Sequence, residues 1–156
     1  MTKVRAVQIA ILLICVFSFP PFSMSQSLVE IRLIADPLYK YAVRMVNEQT
    51  HAQTALRPRA LLSLRDLSSA RALIDSSNPE PMYVLRLQFR SEVKDSLRRV
   101  MEANVNNRIG IIIDGQLKAT PLIVRPVASG MIALFLPTYK EASTIASKIN
   151  RALGRN

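Results

Sequence analysis

The sequence predicts an α+β domain with a mainly antiparallel sheet and helices packed on one face. Three observations carry that prediction. Tyr83, Leu85, Leu87 and Phe89 face one way while Arg86, Gln88 and Arg90 face the other, the period-two pattern of a half-buried strand. Ile109–Ile113 is a dense β-branched run that closes at Asp114-Gly115, the strongest hairpin signal in the chain. Ala142, Ile145, Ala146, Ile149 and Leu153 recur at helical spacing near the C-terminus. Strands in consecutive pairs, with helices set apart from them, indicate α+β rather than alternating βαβ units.

Taken in order, Val29–Ala35 alternates apolar and charged residues before turning apolar, which predicts a strand with one covered face. Asp36-Pro37 has the form of a helix start, Asp as N-cap and Pro at the first helical position. Leu38, Tyr41, Ala42, Met45 and Val46 then predict an amphipathic helix from Pro37 to about Gln49. Thr50–Arg59 shows no period and reads as a loop; Ala60–Leu64 is a short strand. Asp66–Asp75 fits a helical turn or a strand equally. The Ser76–Pro81 segment, with two prolines, is a break.

After the Tyr83–Phe89 strand, Ser91 is placed to cap a helix whose Val93, Leu97, Val100, Met101 and Val105 form its apolar stripe. Gln116–Ala119 returns from the Asp114-Gly115 turn. Leu122–Val127 is expected to continue as strand beyond Pro121, and Met131–Leu136 is a further apolar strand after Ser129-Gly130. Thr138 and Glu141 have capping-box spacing at the start of the last helix, and Gly154 stands where a C-terminal glycine cap belongs.

The chain has 156 residues, 49% of them apolar, which suits one domain and excludes a disordered chain. Residues 1–25 read as a secretory signal: Lys3 and Arg5, then an apolar run over Ala6–Phe19, Pro20-Pro21, and the small residues of Ser23-Met24-Ser25. Cleavage is expected between Ser25 and Gln26, leaving residues 26–156 as a single domain. The alternative is an uncleaved inner-membrane anchor over residues 6–24, facing the periplasm; a span needs about 20 apolar residues.

The whole chain carries a net charge of +10, and losing Lys3 and Arg5 with the signal leaves +8. In an exported protein this excess reads as a basic surface with no dedicated partner, or as one for acidic polypeptide segments or an anionic membrane surface, and not for nucleic acid, since no basic cluster is interleaved with aromatics. Covalent chemistry has little to work with. Cys15 lies in the signal, His51 is a lone loop histidine, and the four glycines are too scattered to cradle a phosphate. Asp114 and Asp36 are turn and cap residues before they are ligands. No catalytic, cofactor-binding or metal-ligating residue is singled out, so a non-enzymatic binding domain is expected, with no cofactor and no metal. A small periplasmic hydrolase or inhibitor with an unrecognised site is the alternative.

The segment from Arg108 to Ile123 carries a family resemblance. With the helix before it, it resembles the first periplasmic domain of SecD, the accessory subunit of the bacterial Sec export machinery. Ile111, Asp114, Gly115, Leu117, Pro121 and Ile123 fall on the positions of that family's hairpin motif. Val29–Leu33, Leu61–Ala70 and Thr138–Leu153 are similar, in the same order, to a strand, a strand with its turn, and the closing helix of that domain. The resemblance covers nearly all of residues 28–154. Only Ala128-Ser129-Gly130 stands where the family has a Gly-rich stretch. It implies the fold of the SecD periplasmic domain, and contact with exported polypeptide or with Sec-type envelope proteins. The proton-linked carboxylates of SecD lie in membrane helices, so this chain is expected to lack the motor part.

Overall fold

Five consecutive residues of Ile109–Ile113 are buried, so this strand has both faces covered and organises the structure around it. A computed structural model describes residues 27–77, 79–126 and 129–155. The expected cleavage at Ser25–Gln26 and the alternative anchor therefore lie outside the described residues.

Among the described residues there are nine strands and two α-helices: β1 (Val29–Leu33), β2 (Val43–Val46), β3 (Gln53–Leu56), β4 (Leu62–Ser63), β5 (Leu67–Asp75), β6 (Met82–Phe89), α1 (Ser91–Glu102), β7 (Ile109–Ile113), β8 (Gln116–Ala119), β9 (Met131–Leu136) and α2 (Tyr139–Ala152). They make a four-stranded sheet in the order β4-β1-β7-β8, a three-stranded sheet β5-β6-β9 and a small β2-β3 hairpin. Every strand pairing within these sheets is antiparallel.

The core follows from the alternation of these strands. Leu85 and Leu87 of β6, with Ile132 and Leu134 of β9, turn inward onto Ala142, Ile145, Ala146 and Ile149 of α2. Leu97 and Met101 of α1, and Ile109, Ile111 and Ile113 of β7, belong to the same apolar cluster. Each fully buried side chain of this size contributes about 1.5–3 kcal/mol. The opposite face of β7 serves a smaller cluster of Leu56, Ile112 and Leu117. Gly110 lies on that face, where a Cβ would stand 2.5 Å from Leu56 Cδ2. A side chain at position 110 would force the Leu56 side chain to shift within this cluster.

Several expectations need correction. Pro37–Gln49 is not a helix. Asp36 makes a single turn, with Leu38 N–H donating to its Oδ1 (2.7 Å), and the chain then enters the β2-β3 hairpin. A helix there would need a surface for its apolar stripe, yet Leu38 and Tyr41 are 91% and 65% exposed. Cross-strand pairing of Val43–Val46 with Gln53–Leu56 satisfies the backbone instead, so β3 stands where a loop was expected. Asp66–Asp75 resolves as β5 after a short 3₁₀ turn over Leu64–Asp66. Arg90, not Ser91, occupies the N-cap of α1, and this helix stops at Glu102, leaving Val105 38% exposed. Leu122–Val127 does not form a strand. Leu122 makes one isolated bridge to Arg108, Ile123 turns into the core, and Val124 is 67% exposed between Pro121 and Pro126; Val127 lies outside the described residues.

Candidate functional site

The six motif residues gather around the β7-β8 hairpin. Asp114 and Gly115 have φ of 51° and 75°, so the two-residue loop is built with positive φ at both positions, the type I′ signature. Asp114 N–H donates to Leu28 O (3.0 Å), and its carboxylate pairs with Lys148 Nζ at 2.6 Å. Ile111 and Leu117 are fully buried on opposite faces of the sheet, and Ile123 is buried in the main core. Pro121 is exposed, with its carbonyl accepting from Ile109 N–H (3.1 Å). This group positions the hairpin and presents no convergent reactive side chains.

The hairpin carries a side chain that sequence reasoning missed. Ile112 pairs with Leu117 and Ile111 with Ala119, so Lys118 is the extra residue of a β-bulge. The bulge turns Lys118 inward, and its side chain is only 9% exposed. Its ammonium pairs with Glu48, in the turn after β2, and with Glu141 of α2 at 3.0 Å. Burial works to lower the Lys118 pKa, but the hydrogen bonds and charges of Glu48 and Glu141 outweigh it and hold the group above its ordinary value. Thr138 caps α2 by accepting from Glu141 N–H (3.1 Å), while the Glu141 carboxylate goes to Lys118 rather than closing the capping box. Nothing in a sequence announces a bulge, and so the lysine gave no signal.

The strand edges differ in how they are protected. On β5, the Asn150 side chain of α2 clamps Ala70, accepting from its N–H and donating to its carbonyl, both at 2.9 Å, while farther along this strand the outward groups of Ala72 and Ile74 have no partner among the described residues. On β8, Leu117 O accepts from Glu48 N–H (3.0 Å), and Asn47 makes a parallel bridge to Leu117. β4 is only two residues long. β9 is different. Phe89 N–H donates to Gly130 O (2.9 Å), so Ile132, Leu134 and Leu136 direct their backbone groups to β6, while Met131, Ala133 and Phe135 direct theirs outward. Among the described residues, Phe135 O accepts from Gln49 Nε2 (3.0 Å), and the outward groups of Met131 and Ala133 have no partner. Phe135 itself is 54% exposed beside this row. An open edge of this kind is a template for another extended chain.

Other chemistry-bearing residues are not brought together. His51 is exposed, with φ of 56° in the β2-β3 turn, and Asp36 holds its own turn. Among the described residues no group of three His, Cys, Asp or Glu side chains could hold a metal ion. A depression of 610 Å³ borders Gln88–Glu92, Lys94 and Arg155, and is open to solvent. No helix among the described residues is long and apolar enough to cross a membrane.

Comparison with known proteins follows the hairpin and its sheets. The family model described as SecDF, P1 head subdomain, matches residues 39–152. The protein translocase subunit SecD of Syntrophobacter fumaroxidans is 28% identical over 91 residues, covering 58% of this chain and 17% of that protein. The chain thus spans less than a fifth of that relative's length. Among solved structures, SecDF in a super-membrane-facing form matches 79% of this chain and 18% of its own, with a TM-score of 0.62 and 21% identity. A structure of SecDF described as a membrane component that enhances protein export matches 79% of this chain and 61% of its own, with a TM-score of 0.61 and 21% identity. These likenesses establish the fold: mostly antiparallel sheets with two helices, as in the SecDF periplasmic domain.

Proposed function

This chain belongs to the SecDF P1 head subdomain family, and from that premise we propose that it is a non-enzymatic envelope binding domain that holds extended polypeptide, either exported chains or segments of Sec-type partners. The single observation that supports this reading is the open β9 edge. It offers outward backbone groups of Met131 and Ala133 beside an exposed Phe135, whereas Asn150 clamps β5 at Ala70 and Asn47-Glu48 meet β8 at Leu117. Addition of a strand at such an edge takes its affinity from main-chain hydrogen bonds and an apolar contact. Four bonds at about 0.5–1.5 kcal/mol each total about 2–6 kcal/mol, which gives weak, reversible binding with Kd no tighter than about 40 μM.

The test is titration of fluorescent extended peptides, with and without N-methylation of alternate amides, against the protein and its Ala133→Pro variant. Proline at this outward position removes a donor from the open edge and none from the ladder with β6. Binding that is weakened both by N-methylation and by Ala133→Pro is the expected result. Equal binding in all four combinations refutes the strand edge, and turnover of the peptides would assign the protein to the hydrolase alternative. Export completes the reading: the protein is placed in the periplasm after cleavage between Ser25 and Gln26. N-terminal sequencing of the product from its host tests this, and an intact Met1 on a membrane-bound product would make residues 6–24 an anchor instead.

A further inference from the structure

Two arginines stand opposite each other on the outer face of the three-stranded sheet, the face turned away from α2. Strand register puts Arg71, Arg86 and Ala133 in one row and Ser69, Gln88 and Met131 in the next. Five of these six, all but Ala133, line a shallow cavity of 240 Å³. Like charges directly opposite in a sheet repel. Among the described residues, neither guanidinium makes a salt bridge. The three strands hold a single acid, Asp75, four residues along β5 from Arg71, or about 13 Å at the rise of a strand. Its carboxylate is already engaged by Ser77 N–H at 3.0 Å. The pair is therefore an uncompensated positive site with two forked donors, the geometry that suits a carboxylate.

The position of the pair connects it to the open edge. A strand added to β9 extends the row, and its residue opposite Ala133 points its side chain to the same face. That residue lies two strand spacings from Arg86, about 10 Å between backbones, a gap that a glutamate and an extended arginine close from the two sides. The intervening side chain is only the Ala133 methyl, so nothing bulky stands between them. We propose that Arg86, backed by Arg71, forms a carboxylate subsite that selects an acidic side chain opposite Ala133 in a polypeptide strand bound at β9. This rests on the reading of β9 as a strand-accepting edge and adds the class of sequence it accepts.

The experiment uses the full chain and a set of extended peptides identical except for one position, which carries Glu, Gln or Lys and is moved along the peptide. One Glu peptide is expected to bind about fivefold tighter than its Gln counterpart, the scale of one or two exposed charge-assisted pairs. The Lys peptide binds more weakly than either. Arg86→Gln abolishes the Glu preference and Arg71→Gln reduces it, while the Gln peptide binds all three proteins alike. Raised salt shrinks the preference toward one. If Glu and Gln peptides bind wild type equally, and both are weakened by Ala133→Pro, the edge stands and the subsite is overturned. A Glu preference that survives Arg86→Gln also overturns it, because selection then comes from the overall charge. Binding to no peptide removes both the edge and the subsite.

Discussion

Replacing Lys118 with Met keeps the aliphatic stem in its buried place and removes the ammonium that joins three elements. Glu48 of the β2-β3 turn and Glu141 of α2 would then face each other across β8 without a cation between them. Breaking a fully buried pair costs about 3–5 kcal/mol, whereas exposed pairs are worth about 0.2–1. The Lys118 side chain is 9% exposed, but those of Glu48 and Glu141 are 48% and 30% exposed, so water recovers part of the loss. The expected cost is about 2 kcal/mol at pH 7, or a drop in Tm of about 6–10 °C for a domain of this size. Thermal unfolding followed by circular dichroism reads it. Adding Glu48→Gln and Glu141→Gln to Lys118→Met should recover much of the loss, because no unpaired charge then remains. The pH dependence has a definite sign. The folded pKa of Lys118 lies above its ordinary value of 10.5, so its stabilisation is complete below 10.5 and fades as pH rises through the folded value. The Tm gap between wild type and Lys118→Met is therefore constant from about pH 7 to 10 and narrows above that. A gap of zero at pH 7, or one that widens in alkali, would refute the account of Lys118 as a staple.

Three further substitutions probe the backbone. Gly115→Val forces a β-branched residue to φ of 75° in the type I′ turn and should cost about 1–3 kcal/mol, read from the urea midpoint. Gly110→Ala puts a methyl 2.5 Å from Leu56 Cδ2 and 3.1 Å from Leu117 Cδ1; overpacking of about 1–3 kcal/mol is expected, and Leu56→Ala in the same chain should relieve part of it. Asn150→Ala removes both clamping bonds to Ala70, at about 1–2 kcal/mol, and hydrogen exchange at the Ala70 amide should accelerate more than at the β6 amides.

Elements with strong local period were legible from the amino-acid sequence: β6, β7 with its Asp114-Gly115 turn, β9 and α2. In each of them the residues that specify the local conformation are also those that enter the core. The family hairpin was legible for the same reason, since Ile111, Leu117 and Ile123 are buried and Gly115 supplies the positive φ of the turn. Tertiary structure decided the rest. Leu38–Val46 has helical spacing, but only Met45 of its stripe packs on an apolar cluster, and Leu38, Tyr41 and Val46 stay exposed. Pairing across the hairpin, together with the close approach to Gly110, makes it a strand instead. Lys118 lies in a short alternating strand, and only a bulge relative to β7 turns it inward onto Glu48 and Glu141, which are distant in sequence. The candidate site is likewise a property of neighbours. That β9 is an open edge depends on which strand pairs with β6 and on what α2 covers. That Arg71 and Arg86 stand side by side depends on the register of β5 against β6. Sequence period sets which face of an element is apolar; edge, register and bulge arise only when separate elements meet.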